Sequence, residues 1–356
     1  MNEFVERQME GRTLHYSELQ HPLRFTEMDV ETLFSESLFR ELIAHRRFQR
    51  LKDIRFLGAI DYAVTANGRP LHTRQTRFDH SIGVGLLAQW FADEAGYADS
   101  ERFLLVSAAL LHDIGHGPLS HSLEPVFSEK FGIDHHRATV ALIRGLNGEK
   151  SDSIASVLQA HTVDPEAVID ALSNPDGEHA PRLLGKFNLD TLDAIPRSSS
   201  YISKQLLNSP PKLVMKAAHF GGPSRQDTLD QFWKQKDFVY QYLINAAVGV
   251  QFDLNAQDYL RKHIDAFSGA HFFASEVELR GLHPLLFSRL NQPRWDTVSL
   301  KAKRFLINRD SDADRDRYLV VRDPISISFE SRPKELPAAD LENQRLFKDD
   351  IQIRRN

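Results

Sequence analysis

The feature that most constrains the fold is the segment LLHDIGHGPLSH, which spans Leu110–His121. An apolar run, Phe103–Leu111, leads into it and is expected to be buried. A histidine beside an aspartate is costly in a core unless both are paired or bind a cation. Two adjacent side chains converge on one ion best near a helix end, and the Gly-x-Gly-Pro sequence provides such an end. We therefore predict that His112 and Asp113 bind a metal ion.

Composition restricts the ligands that such a site can use. The chain of 356 residues has no cysteine but 16 histidines, which excludes disulfides, thiolate metal sites and cysteine nucleophiles. Any metal must therefore be held by histidine and carboxylate side chains. The formal charge of −5 gives no general basic surface, so nucleic acid is not indicated as a partner, although a local patch is compatible with it.

The same sequence indicates a globular protein outside membranes. Apolar residues make up 41% and charged residues 26% of the chain, as in soluble proteins. No apolar run approaches the roughly 18 residues that a membrane span needs. The acidic N-terminus lacks the apolar core of a signal peptide. We expect a cytoplasmic protein with no membrane partner.

Apolar spacing predicts a mostly α-helical chain. Helices are expected over 38–56 (as a pair), 82–91, 165–172, 227–250 and 256–264, and over a segment that starts at the N-cap Ser100 and ends at the His-Asp pair. Two glycines within 82–91 indicate close helix packing. Asp164 is expected to cap the helix over 165–172, and Pro196 to interrupt a helical segment over 187–201. Alternating β-branched residues over 298–308, 318–322 and 325–329 predict a small C-terminal antiparallel sheet.

These elements divide the chain into five regions. We expect an N-terminal segment (1–35), a metal-binding helical core (36–205), a helical extension (206–292), a small β region (293–331) and a charged tail (332–356). The acidic loop DSDADRD over 310–316 looks like a calcium loop but lacks the required glycine and glutamate, so we interpret it as a hairpin tip. His161, His179 and His283 are interpreted as structural or surface residues.

Further side chains support the metal site. His80 opens an apolar helix, and Asp190 lies in an otherwise apolar turn. Taken singly, each could be a helix cap or a core residue. Together with His112 and Asp113 they give two imidazoles and two carboxylates, a set suited to a divalent transition metal, Mg²⁺ or Mn²⁺. More imidazoles lie in or near the same segment, at His116, His121 and His135.

The order His80, His112-Asp113, Asp190 resembles the HD-domain metal-dependent phosphohydrolases, and most of all their dNTP triphosphohydrolase branch, which includes the vertebrate SAM-and-HD-domain enzyme. Three segments carry the likeness, at 48–58, 77–85 and 111–121. With a weaker match around Asp190 they cover about 38–201. The resemblance implies an HD-type helical bundle with helical additions.

The resemblance also implies roles for individual residues. The metal ligands would be His80, His112, Asp113 and Asp190, holding one or two divalent ions from among Mn, Fe, Co, Mg and Zn. The acid–base positions would be His116, His121 and His135, with Glu124 orienting a histidine and Arg77 contacting substrate phosphate or base. Such an ion activates water and neutralises a phosphoryl oxygen, while a histidine protonates the leaving oxygen. His121 is the first choice for that acid and His135 the second.

The chain departs from this branch at the substrate-reading positions. The expected basic residue, tyrosine and closing aspartate are replaced by Thr191, Ala194 and Ser198, and Phe56 stands where a sugar-reading glutamine is expected. We therefore keep the reaction class, like that of the dNTP triphosphohydrolases, and leave open whether the substrate is a dNTP. Replacement positive charge could come from Lys186, Arg197, Lys204 or Lys236.

The expected function is hydrolysis of a phosphoester or phosphoanhydride bond in a nucleotide-like small molecule. One alternative is an HD-type nucleotidase or phosphodiesterase acting on mono-, cyclic or oligonucleotides. Another is a nucleotide-binding sensor or scaffold with little turnover. A di-iron oxygenase would need more metal-binding histidines than can be placed. Homo-oligomers are common among the proteins that this chain resembles, so a homo-oligomer is expected by analogy.

Overall fold

Helices dominate the computed structural model, which describes residues 25, 27–63, 75–145, 153–202 and 209–329. The mostly α fold with a small C-terminal sheet is confirmed. In chain order the α-helices are α1 (Glu27–Leu33), α2 (Ser37–Ala44), α3 (Arg46–Gln49), α4 (Arg77–Ala95), α5 (Asp99–Leu111), α6 (Glu124–Phe131), α7 (His135–Ile143), α8 (Ile154–Ala160), α9 (Pro165–Ser173), α10 (Ala180–Leu183), α11 (Leu189–Ser199), α12 (Pro211–His219), α13 (Arg225–Val239), α14 (Ala247–Lys262), α15 (Glu276–Leu282), α16 (Pro284–Arg289) and α17 (Asp314–Arg317). Short 3₁₀ helices lie at Arg50–Asp53, Gly58–Tyr62, Ser120–Ser122, Ile264–Ala266 and Gly269–Phe273.

Two long helices, α4 and α5, form the buried centre that positions the site. Thr76 caps α4: its hydroxyl accepts from the Asp79 backbone N–H, and the Asp79 carboxylate accepts from the Thr76 N–H. A Cβ added at Gly85 would lie 2.5 Å from Cδ2 of Leu110. The two backbones therefore approach closely at this glycine, as the sequence predicts.

Helix α5 ends at Leu111, so the predicted helix end before the His-Asp pair is observed. The predicted N-cap, Ser100, is wrong. The cap position is Ala98, whose backbone N–H donates to the Glu101 carboxylate at 3.2 Å. The helix starts earlier because acidic residues of the first turn satisfy its free N–H end.

Two other helix predictions need correction. Pro196 lies inside α11 and does not interrupt it. A proline removes one backbone hydrogen bond, but the buried ion pair between Asp193 and Arg197 spans the same turn of this helix.

The predicted helix over 227–250 is two helices, α13 and α14, joined by a π-helical turn at Tyr240–Ile244. The predicted helix over 256–264 is the second half of α14. A Cβ added at Gly249 would lie 2.4 Å from the Leu243 carbonyl oxygen, so the chain turns tightly there.

The sheet is a single hairpin of β1 (Thr297–Ile307) and β2 (Tyr318–Ser328). Its antiparallel register runs from Thr297 opposite Ser328 to Ile307 opposite Tyr318. The two predicted strands over 318–322 and 325–329 are one, because proline is tolerated within an edge strand and Pro324 lies in β2. The hairpin packs on α13, where the Trp233 indole N–H donates to the Leu306 carbonyl.

Several predicted features lie away from the site or outside the described residues. His161 is 3.2 Å from the Glu41 carboxylate, and His283 stacks on Phe267. Within the described ranges, no helix combines the length and the apolar character that crossing a membrane requires. The charged tail, Lys204 and most of the N-terminal segment are not among the described residues.

Candidate metal centre

Two imidazoles face each other at the centre of the bundle. His80 lies in the first turn of α4 and is fully buried, and His112 follows the last residue of α5. Their Nε2 atoms are 3.2 Å apart. Nδ1 of His112 donates to the Ala109 carbonyl at 2.8 Å, and Nδ1 of His80 to the Asp193 carboxylate at 2.5 Å. With both Nδ1 atoms protonated, both Nε2 lone pairs face one point, the arrangement that a metal ion needs.

Two carboxylates complete this group. Asp113 places Oδ2 3.5 Å from Nε2 of His80 and Oδ1 3.4 Å from Nε2 of His112. Asp190, at the start of α11, places Oδ1 3.0 Å from Nε2 of His80 and 4.0 Å from Nε2 of His112. The structure thus brings together all four residues that the sequence proposed as ligands. Three of them, His80, His112 and Asp113, have donor atoms within 4.8 Å of one another.

The charges of this group favour a cation. Burial lowers the pKa of His80, but hydrogen bonds to Asp190 and Asp193 outweigh it and raise the pKa to about 9. Burial opposes ionisation of Asp190, yet the hydrogen bond to His80 holds its pKa at about 2. Without an ion, a proton on His80 therefore compensates the carboxylates. A divalent ion can take the place of that proton, so the donor set fits a metal.

Buried arginines hold both ends of the group. Arg77 donates to Oδ2 of Asp113 at 2.6 Å and to Oγ of Ser120 at 2.9 Å. Arg197 donates to both oxygens of Asp193, at 2.8 and 2.9 Å. Arg77 thus binds Asp113, a predicted metal ligand, directly. Arg77 also lines a cavity beside this group, and the sequence predicted that it contacts substrate phosphate or base.

Sequence reasoning assigned no role to Asp193. It orients His80 through the 2.5 Å contact to Nδ1. A signal was present in the spacing, since Asp193 lies three residues after Asp190 and four before Arg197, all on one face of a helix.

The remaining predicted residues form a second group beside the first. His116 stacks on His135 with ring centroids 4.3 Å apart and stands perpendicular to His121 at 4.5 Å. Oε2 of Glu124 lies 2.7 Å from Nδ1 of His135 and 3.7 Å from Nδ1 of His121. Four donor atoms of this group also lie within 4.8 Å of one another. Oδ1 of Asp113, 3.3 Å from Nε2 of His116, connects the two groups.

Protonation differs among these histidines. Burial, together with the charge of Arg77, holds the pKa of His116 well below its usual value. Desolvation also lowers the pKa of His121, although 60% of its side chain is exposed. Burial opposes protonation of His135 as well, but the hydrogen bond to Glu124 raises its pKa. His135 is therefore the imidazole of this group that most readily carries a proton.

Both groups open on one cavity of about 620 Å³. All four positions that depart from the triphosphohydrolase pattern line it, namely Phe56, Thr191, Ala194 and Ser198. The differences from that pattern are thus concentrated where a substrate would lie.

Of the four proposed sources of replacement charge, Lys236 lines this cavity. Arg197 is buried against Asp193, and Lys186 donates to backbone carbonyls near the hairpin turn. Lys204 is not among the described residues. The cavity also has cations that sequence reasoning missed, Lys301, Lys303 and Arg322 of the hairpin.

The family model of the HD domain matches residues 77–187. The chain contains an HD domain. His80, His112 and Asp113 lie inside the match, and Asp190 lies three residues beyond its end. HD domains bind divalent metal ions, and the two groups described above offer donor atoms for them.

Curated relatives resemble part of the chain. An uncharacterized protein of Bacillus subtilis, YwfO, is 33% identical over 171 residues, which is 47% of this chain and 37% of that protein. The SAMHD1 homolog of Dictyostelium discoideum, a deoxynucleoside triphosphate triphosphohydrolase, is 26% identical over 46% of this chain and 33% of its own length. Human SAMHD1, of the same description, is 31% identical over 36% of this chain and 21% of its own length. The chain spans 37% or less of the length of each of these relatives.

Proposed function

We propose that this protein is a metal-dependent phosphohydrolase that acts on a nucleotide-like substrate bound in the 620 Å³ cavity. One observation carries the proposal: the Nε2 atoms of His80 and His112 lie 3.2 Å apart, with the carboxylates of Asp113 and Asp190 around them, at the edge of this cavity. The HD domain supports it, since SAMHD1 proteins hydrolyse deoxynucleoside triphosphates.

The four side chains would hold a divalent ion from among Mn, Fe, Co, Mg and Zn, because mixed imidazole and carboxylate donors suit these metals. When bound, the ion supplies activated water and neutralises a phosphoryl oxygen. Asp193 fixes the ring of His80, and Arg77 fixes the carboxylate of Asp113, so the ligand positions are set before the ion arrives.

The proton for the leaving oxygen comes from the second group. His135 lines the cavity and is held by Glu124 at 2.7 Å, whereas His121 is 3.7 Å from the same carboxylate. This geometry favours His135 over His121 as the general acid, the reverse of the order that the sequence suggested. A histidine supported by a carboxylate both keeps its proton and presents it in a fixed direction.

The side chains that line the cavity favour a substrate that differs from a deoxynucleoside triphosphate. Thr191 brings no charge to phosphate, and Phe56 brings an apolar ring where a sugar-reading amide is expected. We therefore propose the same reaction class with different substrate-contacting residues. We also expect a homo-oligomer.

The test is to load the purified chain with Mn²⁺, Fe²⁺, Co²⁺ or Mg²⁺ and screen nucleotides for released phosphate, pyrophosphate or triphosphate. Asp190→Asn should lose bound metal and at least about a hundredfold in turnover, since charge stabilisation at the reacting phosphorus is lost. Asp176→Asn, in an exposed loop, is the matched control and should behave as wild type. An Asp190→Asn variant with normal metal content and turnover would overturn the assignment. Nucleotide-dependent thermal stabilisation without product would instead favour a sensor.

A further inference from the structure

Four cationic side chains line one wall of the cavity, and all come from outside the residues matched by the HD domain. They are Lys236 of α13, Lys301 and Lys303 of β1, and Arg322 of β2. We call this set the cationic wall. The same cavity is also lined by Asp113 and Asp190 of the candidate metal centre.

The strand register makes part of the cationic wall unfavourable by itself. Lys303 lies directly opposite Arg322, and Lys301 lies two residues before Lys303 on the same face of β1. Like charges directly opposite in an antiparallel pair destabilise it. Among the described residues, no carboxylate forms an ion pair with any of the three.

Arg304, the residue after Lys303 in β1, shows how acidic side chains neutralise a cation of the hairpin. Its guanidinium donates to both oxygens of Asp237 at 3.0 and 3.1 Å. Its head group is also 3.9 Å from Asp323. Arg304 thus has acidic partners from both α13 and β2, whereas Lys301, Lys303 and Arg322 form no ion pair within the described part of the chain.

Lys236 adds a partly desolvated ammonium to this wall. Its Nζ lies 5.1 Å from the centre of the Trp233 ring and 4.8 Å from that of Phe305. Burial lowers its pKa to about 8, with Lys303 acting in the same direction and Asp190 opposing it. A charged lysine at such a position is stabilised when an anion comes close.

We propose that the cationic wall binds the oligophosphate group of the ligand, so that a second phosphate lies on the hairpin while another faces the candidate metal centre. The anion-binding part stands on the charges alone, and the placement relative to a reacting phosphate rests on the proposed function. Cations on adjacent strands suit a di- or triphosphate better than a monophosphate, because different cations can then donate charge-assisted hydrogen bonds to different phosphate groups. The cationic wall thereby supplies the charge that Thr191 lacks.

The test is calorimetric titration of inorganic triphosphate, pyrophosphate and orthophosphate into the metal-stripped full chain at low salt. The double variant Lys303→Gln/Arg322→Gln should weaken triphosphate binding at least about tenfold, as expected when charge-assisted hydrogen bonds are lost. Lys303→Arg, which keeps the charge, should bind within about twofold of wild type. The control Lys130→Gln/Arg144→Gln removes two exposed charges that do not line the cavity and should bind as wild type.

The variants are also informative about folding. Without anion, the double variant should melt at or slightly above the wild-type temperature, because the like-charge pair is gone. A correctly folded double variant that binds triphosphate as wild type overturns the proposal, and so does a wild-type chain that binds triphosphate no better than orthophosphate. Tighter binding of a single-stranded oligonucleotide than of triphosphate also overturns it.

The two proposals fail in different ways. If wild type binds triphosphate through these cations but hydrolyses no nucleotide, the cationic wall stands and the phosphohydrolase assignment falls. If wild type hydrolyses a nucleotide and the double variant keeps the same KM, the hydrolase assignment stands and the cationic wall falls.

Discussion

The Asp193 carboxylate lies 2.5 Å from Nδ1 of His80, and both side chains are fully buried. Arg197 holds the same carboxylate from the other side. This chain of contacts fixes the ring of His80 so that Nε2 faces His112 and Asp190. Residues behind a ligand therefore set the geometry of the candidate metal centre as much as the ligands do.

The first prediction concerns Asp193→Asn. We expect the affinity for Mn²⁺ to fall about 10- to 100-fold, because the histidine loses its orienting charge. Calorimetry on the metal-stripped protein measures it. Arg197→Gln disrupts the same buried pair but keeps the contact to His80, so it should reduce stability more than metal affinity. Equal losses of affinity in the two variants would show that Asp193 acts through folding alone.

The second prediction concerns the proton donor. His135→Gln should lower kcat about 100- to 10,000-fold, the range for loss of a general acid, with metal content unchanged. Glu124→Gln should lower kcat less, because His135 stays but its hydrogen bond to a charged partner is lost. Glu129→Gln, an exposed position on the same helix, is the matched control. A His135→Gln enzyme with wild-type kcat would instead favour His121 as the general acid.

The third prediction concerns backbone packing beside the site. A Cβ at Gly115 would lie 2.3 Å from both the His135 carbonyl oxygen and the Thr139 backbone nitrogen. Gly115→Ala should therefore push α7 away and destabilise the fold by about 1–3 kcal/mol, measured by urea unfolding. Gly281→Ala is the opposite case, since nothing lies within 4 Å of its added Cβ in α15. It should stabilise by about 0.5–1 kcal/mol. Equal effects at the two glycines would contradict the packing argument.

The fourth prediction is a pH dependence at Asp253, which lines the cavity and accepts a hydrogen bond from Oγ of Ser122 at 2.6 Å. Burial raises its pKa to about 6. A carboxyl with a raised pKa in the folded state favours folding below its unfolded pKa, and that contribution disappears as the pH rises through about 6. Asp253→Asn removes the buried charge. Its stability advantage over wild type should grow from pH 5 to pH 8 and reach up to about 3 kcal/mol. A pH-independent difference would refute this account.

The centre of the fold was predictable because its signals are local. The apolar run before His112, the glycine–proline break after Asp113 and the two glycines of α4 each report a constraint within a few residues. The end of α5 and its close packing on α4 follow from them. Asp190 had only a weak local signal, an aspartate in an otherwise apolar turn, and nothing in its 77-residue separation from Asp113 indicates that the two residues meet.

What the sequence could not predict depends on distant contacts. Pro196 fits within α11, where a buried ion pair spans its turn, and the π-helical turn after Val239 splits one apolar pattern into two helices. Lys303 and Arg322 reach the cavity only because the hairpin packs on α13, a contact between segments about 70 residues apart. The cytoplasmic location and the homo-oligomer stay predictions.

One ammonium group helps to fasten the closed end of the hairpin to the core, beside the ion pairs of Asp314 with Arg225 and of Arg317 with Asp230. Nζ of Lys186 donates to the backbone carbonyls of Arg315 and Tyr318, both at 2.7 Å, three residues before α11 begins. At the open end, exposed Thr297 and Ser328 face each other. An insertion beside the open end can loop outward without moving this anchor. One beside Tyr318 would slide the strands past this anchor, so evolutionary variation in hairpin length should accumulate at the open end.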